Sequence, residues 1–409
     1  MNILVLQETD WFLKGPTTQH HIFERLSKNA KINVMAIDYD INKRMYSKSI
    51  FIKKKIYTNT SRSIKSSRVK VIRTAHIQLP YLRRISSLIT NFFEILKIIR
   101  KKRPDVIIGF SITNGMVGLI LSKLFGIPYI FYYIDILHEL VPIKYIRKFA
   151  RYISRISLKL ADLIIAVTKL LEIFVLNEGI SPNKVKIILN GISLENTQVD
   201  VKKLEFLKKK LSITENDFVF LFMGHLYEFA GLKEIIEYYN DDVKAGKYKF
   251  KFIIIGDGGI YNSLVNYVKK VDADWVILTG RLPFFELTEY FALADLCLMS
   301  FKLNKITKDI TPVKIMEYMA SKKPVLSTSL PSVVLEIENN NGIIFSKNQN
   351  ELIKKIADLS KQKGKLKNIG IEGYNYILKN YLWSNLIDNF QHQIYTLIKK
   401  KQKKKLKNK

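Results

Sequence analysis

In KDITPVKIMEYMASKKPV, residues 308–325, three charged side chains stand at spacings suited to handling a diphosphate and a sugar. Thr311 is a candidate N-cap and Pro312 a favourable first helical residue, so a helix opens there with free N–H groups and partial positive charge. Lys314 falls in its first turn. Glu317, three residues on, shares that face. An ionised carboxylate offers only acceptors, so it can take both hydrogen bonds of a ribose diol. Asp309, eight positions before Glu317, falls in the loop above the helix, where it can reach a sugar hydroxyl. A second stretch, FMGHLYEFAGLKE (222–234), sets a glycine turn between an apolar strand and a helix, a common place for phosphate. No Arg or Lys precedes Lys233 in it. Gly224 permits close backbone approach, and Gly231 starts the next helix.

The elements that position these residues follow from hydrophobic patterning. In the first half, NILVL, INVMAID, DVIIGF, PYIFYYI, ADLIIAVT and KVKIILNG alternate with helical patterns, including one from about Thr17 to Lys28 and one from about Asn114 to Phe125. The second half repeats the rhythm with DFVFLFMG, KFIIIGDGG, DWVILTG, ADLCLMSF, PVLSTS and GIIFS. Continuous Ile/Val runs separated by helices imply parallel sheets covered on both faces. Two doubly wound α/β domains in series are expected, with ligand at the strand C-termini. The expected boundaries are 1–190 for the first domain, 191–375 for the second, 376–398 for a helix returning towards the first, and 399–409 for a frayed tail with eight lysines.

The Pro312–Glu317 helix resembles the signature of retaining GT-B glycosyltransferases of family 4, in which two acids eight positions apart bracket a sPxKxxEyma.gkPV helix. Pro312, Lys314, Glu317, Tyr318, Met319, Ala320, Pro324 and Val325 match it. IIIGDGG, with Gly256 and Asp257, is similar to the family's vGdGp turn, and LTGRLPFFELTEYFALADLCLMSF and ADLIIAVT…ILNGIS follow in its order. The resemblance covers roughly residues 1 to 375. It implies a GT-B fold, two Rossmann-like domains facing across a cleft, with the first binding acceptor and the second a UDP- or GDP-type nucleotide sugar. It further implies that Glu317 holds the ribose and Lys314 the phosphates, with Arg281, Asp257 and the Gly256 turn near the nucleotide and Asp309 at the sugar. No cofactor or metal is implied: retaining transfer resembles a front-face displacement that needs charge stabilisation on the leaving diphosphate more than a protein nucleophile. The family's His-Asp after a first-domain strand is YYIDILHEL here: Asp135 matches the acid, Ile134 replaces the His, and His138 follows three residues later. His138 is a sugar-pocket candidate or polar surface. Gly15 and Pro16 match the glycine-rich loop, with Thr17, Thr18 and His20 nearby. Where the family carries Arg and Lys in the 222–234 loop, this chain has His225 and Ala230.

Charge adds a partner. The chain holds 67 Lys+Arg against 36 Asp+Glu, a net +31 over 409 residues. In VPIKYIRKFARYISRISLKLAD, Ile143, Ile146, Ala150, Ile153, Ile156 and Leu160 recur at helical spacing, with Arg147, Arg151, Arg155 and Lys159 on another face. This is either a solvated surface helix or one lying on anionic lipid. LPYLRRISSLITNFFEILKIIRKKR, apolar over more than half its circumference, favours membrane contact. The N-terminus has no signal-peptide pattern, and TNG and FGIP cut the apolar run 106–137 into pieces too short to span a bilayer. The expected location is the cytoplasmic face of a plasma membrane. The lone Cys297 excludes an internal disulfide and suits a reducing compartment. Scattered histidines give no metal spacing, and no basic recognition module interleaved with aromatics points to nucleic acid. The expected function is transfer of a sugar from a nucleotide sugar to a lipid-linked or membrane-associated glycan. The alternative is an inactive GT-B-like binding or scaffold subunit.

Overall fold

The computed structural model describes residues 1–8, 10–12, 16–38, 50–79, 82–139, 141, 144–194, 198–283, 286–310, 313–337 and 341–407. The chain divides into two compact units, Met1–Gly191 with Trp383–Lys409, and Ile192–Leu382.

The first unit opens with β1 (Asn2–Leu6), α1 (Thr18–Ser27), β2 (Asn33–Asp38), β3 (Phe51–Ile52), β4 (Lys55–Thr60), β5 (Val69–Arg73) and β6 (His76–Ile77). It continues with α2 (Leu82–Lys102), β7 (Val106–Gly109), α3 (Thr113–Leu124), β8 (Tyr129–Tyr133), α4 (Lys144–Leu160), β9 (Leu163–Ala166), α5 (Lys169–Asn177) and β10 (Val185–Ile187). Its main sheet runs β10-β9-β8-β7-β1-β2-β5-β4. Every pairing in it is parallel except β4 with β5. Residues Ile3–Leu6, Val106–Ile108 and Tyr129–Tyr133 are fully buried, as two-sided coverage requires. The antiparallel edge β4 escapes the sequence pattern because KIYTNT is polar and largely exposed.

The second unit holds α6 (Val201–Lys210), β11 (Phe218–Met223), α7 (Leu232–Lys244), β12 (Phe250–Ile255), α8 (Tyr261–Lys270), β13 (Val276–Gly280) and α9 (Leu287–Leu293). After these come β14 (Leu296–Met299), α10 (Val313–Ala320), β15 (Val325–Thr328), α11 (Pro331–Glu336), β16 (Ile343–Ser346), α12 (Gln349–Ser360) and α13 (Lys363–Asn380). Its sheet is all parallel, in the order β13-β12-β11-β14-β15-β16.

The last helix, α14 (Trp383–Lys407), belongs to the first unit. It begins at Trp383 rather than in the middle of the preceding segment, because α13 runs unbroken to Asn380. Trp383 stacks on His21 at 4.9 Å, and Phe390 meets Tyr132 edge-on. The lysine-rich end is helical to Lys407 rather than frayed, and Lys401 shows why. Its ammonium donates to Asp162 at 2.8 Å and to the Ile127 carbonyl at 3.0 Å.

Helix α4 seats itself through small residues. Ala150, Ser154, Ser157 and Leu158 are buried, whereas Tyr145, Ile146, Phe149, Tyr152 and Leu160 are exposed beside Lys148, Arg155 and Lys159. A run of large apolar side chains therefore points outward, while Ile153 and Ile156 are half-buried. Ile143 lies outside the described residues. Helix α2 likewise exposes Leu82, Ile85, Ile89 and Phe93. Among the described residues, no helix is long and apolar enough to cross a membrane.

Asp162 also accepts from Lys123 and from the Tyr129 N–H. Burial opposes its charge, but the Lys401 and Lys123 hydrogen bonds outweigh that and hold its carboxyl below the usual range. A carboxylate with a depressed folded-state pKa contributes stability at neutral pH and loses it as pH falls through that value. Asp162→Ala is expected to lower stability at pH 7 by about 2 kcal/mol, with the gap to the parent closing below about pH 4. Urea unfolding across that pH range checks both.

Candidate functional site

The second unit builds β11, β12 and β13 outward, then crosses back so that β14 lies on the other side of β11. Loops leaving β11 and β14 therefore part, and the crevice between them is where a doubly wound sheet takes its ligand. Lys314 lies at that switch point. Its Nζ sits 4.2 Å from the ring centre of Phe222, near the end of β11, and 4.7 Å from that of Phe301, just past β14. Among the described residues, no carboxylate or carbonyl bonds to this ammonium. Burial pushes the amine down from 10.5 to about 7, with the Glu317 carboxylate opposing. Burial raises the Glu317 carboxyl, with Lys314 opposing.

The second turn of α10 is fixed by the residue after Glu317. Tyr318 is fully buried, its hydroxyl accepting the Met223 N–H at 2.7 Å, so the helix is pinned to the end of β11. Gly224 follows Met223 with φ +139, and a Cβ there would lie 2.6 Å from Lys314 Nζ. Gly256, φ +132, faces it, and a Cβ at that position would run into the Gly224 carbonyl oxygen. The two turns are laced by Gly224 N–H to the Ile255 carbonyl at 2.9 Å and Leu226 N–H to the Asp257 carbonyl at 2.8 Å. The side chains of Asp257, His225 and Arg281 are exposed.

Of the expected site residues, the structure thus brings Lys314 against the Gly224 turn and Gly224 against Gly256. Asp309 ends a 3-10 turn, Thr307–Asp309, but its side chain, with Gly15, Thr311 and Pro312, lies outside the described residues. Asp135 and His138 belong to the first unit. Asp135 is exposed past β8, accepting the Ile136 N–H at 2.7 Å. His138 is buried, its ring centre 6.2 Å from that of Phe174, and its Nδ1 has no partner among the described residues. Burial lowers its pKa against the pull of Glu139. His20 is committed on both nitrogens: Nδ1 accepts the Thr17 N–H at 2.9 Å, which leaves Nε2 to donate to the Trp11 carbonyl at 2.8 Å. Thr18 donates to Asn190 Oδ1.

Sequence reasoning passed over three side chains. Phe222 and Phe301 read as ordinary ends of apolar runs, and only the strand order puts both against one lysine. Glu8, past β1, accepts the Thr113 and Asn114 N–H groups at 3.0 Å each, at the first unit's own switch point between β1 and β7. An acid at that loop was visible, but the helix it caps begins more than a hundred residues later.

Two α/β units, one with a lysine at its switch point that bonds no anion among the described residues, define a two-domain Rossmann-like class. The comparisons narrow it. Residues 204–376 match the model for Glycosyl transferases group 1, and residues 55–196 match that for Glycosyltransferase Family 4. An uncharacterized glycosyltransferase of Methanocaldococcus jannaschii is 26% identical over 76% of this chain and 81% of its own length. The Escherichia coli UDP-Gal:alpha-D-GlcNAc-diphosphoundecaprenol alpha-1,3-galactosyltransferase is 25% identical over 65% of this chain and 67% of its own. Across the four curated relatives, the chain spans 59 to 81% of their length. The structure of Anabaena HepE in complex with UDP superposes with a TM-score of 0.69 at 15% identity, covering 97% of this chain and all of that one. The chain is a glycosyltransferase of the GT-B fold.

A lysine whose folded-state pKa is lowered leaves the folded protein holding fewer protons than the unfolded chain between that pKa and 10.5. Stability then rises with pH across that window. Lys314→Met is expected to stabilise the ligand-free protein at pH 6 to 7 by on the order of 3 kcal/mol, an advantage that shrinks towards pH 10. Thermal melts of both proteins at several pH values check the sign.

Proposed function

We propose that this chain is a retaining glycosyltransferase that moves a sugar from a UDP- or GDP-linked donor to a lipid-linked glycan at the cytoplasmic face of an anionic membrane. The observation that carries the reading is Lys314 at the switch point of the second unit, an ammonium to which, among the described residues, no protein anion is hydrogen-bonded. There a diphosphate would supply the missing charge, and Glu317, one turn on, would accept from the ribose diol. The turns at Gly224 and Gly256 let donor phosphates approach backbone, and the α7 N-terminus and Arg281 add positive charge. Asp309 would meet the transferred sugar, and Asp135 or His138 would act from the first unit. In a front-face displacement the anomeric carbon–phosphate oxygen bond breaks as the acceptor hydroxyl attacks the same face, and its proton passes to the leaving phosphate oxygen. Stabilising that departing charge then falls to Lys314, Arg281 and helix N-termini, without a metal.

The donor class is supported by HepE, whose structures include complexes with UDP and with UDP-glucose. The acceptor class is supported by the relative named for a diphosphoundecaprenol substrate. Membrane contact is supported by the outward aromatic and aliphatic face of α4, edged with cations, as basic amphipathic helices at lipid interfaces are built. Each Lys or Arg near an anionic surface adds roughly 1 kcal/mol.

Screening UDP-, GDP- and dTDP-sugars by thermal shift should find a donor that raises the melting temperature. Lys314→Ala should weaken its binding at least about a hundredfold, the loss of a buried charge pair worth roughly 3 kcal/mol; near-parental donor affinity would sink the assignment. Separately, the parent is expected to sediment with anionic but not neutral vesicles. Phe149→Ser with Tyr152→Ser should stay in the supernatant while keeping transfer to a soluble acceptor analogue. Equal sedimentation of parent and variant would remove the α4 reading.

A further inference from the structure

The rings around Lys314 are held more firmly than a space-filling role requires. Phe222 is 0% exposed and Phe301 4%, so neither can swing away. Their centres lie 6.3 Å apart with planes at 47°, two walls of a corner closed over the ammonium. Phe301 is braced edge-on by Phe229 at 5.0 Å, Phe229 stacks on Tyr227 at 4.6 Å, and Tyr227 meets His225 at 4.5 Å. The backbone on either side of Phe301 is fastened to the same loop. The Ser300 hydroxyl donates to the Ala230 carbonyl at 2.6 Å, and the Lys302 N–H donates to the Phe229 carbonyl at 2.7 Å.

An aromatic face carries partial negative charge and attracts a cation, most strongly where water is excluded. Leucine would fill the volume of Phe301 but leave the ammonium against an aliphatic wall, which favours the neutral amine. We infer that Phe301, with Phe222, is a positioning residue for the donor diphosphate: the rings keep the Lys314 ammonium charged and fixed beside the Gly224 turn, and the brace through Phe229 and Tyr227 ties that position to the loop carrying His225. This rests on Lys314 being the phosphate-binding cation. The rings supply, without adding charge, the fixation that a second basic side chain would otherwise provide. Among the described residues, Glu317, on the same helix, is the charged group that acts on Lys314.

The first test needs no ligand. With ¹³C-labelled lysine, the Lys314 ε-methylene, assigned by its loss in Lys314→Ala, should resonate upfield of exposed lysines through ring currents. In Phe301→Leu it should move back and lose its proton at lower pH than in the parent. An unshifted resonance in the parent, or a titration that Phe301→Leu leaves in place, overturns the inference and leaves the proposed function standing. In calorimetry with UDP and with GDP, Phe301→Leu should weaken binding about 5- to 30-fold, and Phe301→Tyr should restore it. Full affinity in Phe301→Leu, or equal loss in both variants, also overturns it. If Phe301→Leu does not fold, trifluorophenylalanine at position 301 keeps the shape while draining the ring face, and an unmoved Lys314 titration there is the overturning result. Parental UDP and GDP affinity in Lys314→Ala would instead remove both readings.

Discussion

An ammonium group set against two aromatic rings, with no anion bonded to it among the described residues, is the constraint around which the second unit is arranged. Ionised amines lose free energy on leaving water, and ring faces return only part of it. The ligand-free fold therefore holds Lys314 in an unfavourable setting, with its pKa brought down to about 7. Such a group persists only when its surroundings leave it no other place. Tyr318 fixes the turn of α10 that carries it, through the Met223 N–H. The all-parallel sheet, with β11 at the switch point, supplies the rigid floor. Gly224 supplies an open side, since any side chain there would press on Nζ.

Much of this was legible in the sequence, for reasons that vary with the element. Buried parallel strands write themselves as Ile/Val/Phe runs, so β1, β7, β8, β11 and β12 stand out in isolation. Strand β4 does not, because an antiparallel edge strand facing water is polar on both sides. The pairing of Lys314 with Glu317 follows from helical spacing alone. The pairing of Lys314 with Phe222 and Phe301 does not, since it depends on β14 crossing back beside β11 and is set by topology. His20 shows the same limit from the other side. By residue type it could serve chemistry, but its two nitrogens are spent on the Thr17 amide and the Trp11 carbonyl, which close the turn before α1.

In the first unit, helix α4 buries Leu158 but leaves much of its apolar surface outside. Apolar residues at helical spacing normally face the core. Here Ala150, Ser154 and Ser157 do so, and their small size lets the helix sit close to the elements beneath it. The larger Phe149, Tyr152 and Leu160 are left outside. Exposed aromatics carry a solubility liability that a free-standing surface does not repay. The basic residues along the edge make the same face suitable for a surface that is apolar within and anionic at its boundary.

The Lys314 corner of the second unit bears on how a site manages with fewer fixed cations than the resemblance implies. An arginine at position 225 and a lysine at position 230 would each act on Lys314 as a like charge and lower its pKa further before any ligand arrived. With His225 and Ala230 there instead, Lys314 faces no such repulsion from the loop, and the positions between them are used for Tyr227 and Phe229, which reach Phe301 through ring contacts. The loop thus exchanges charge for packing. It contributes to the ammonium's position through rings instead of through cations of its own, and how far burial lowers the Lys314 pKa then depends on how well those rings hold their places.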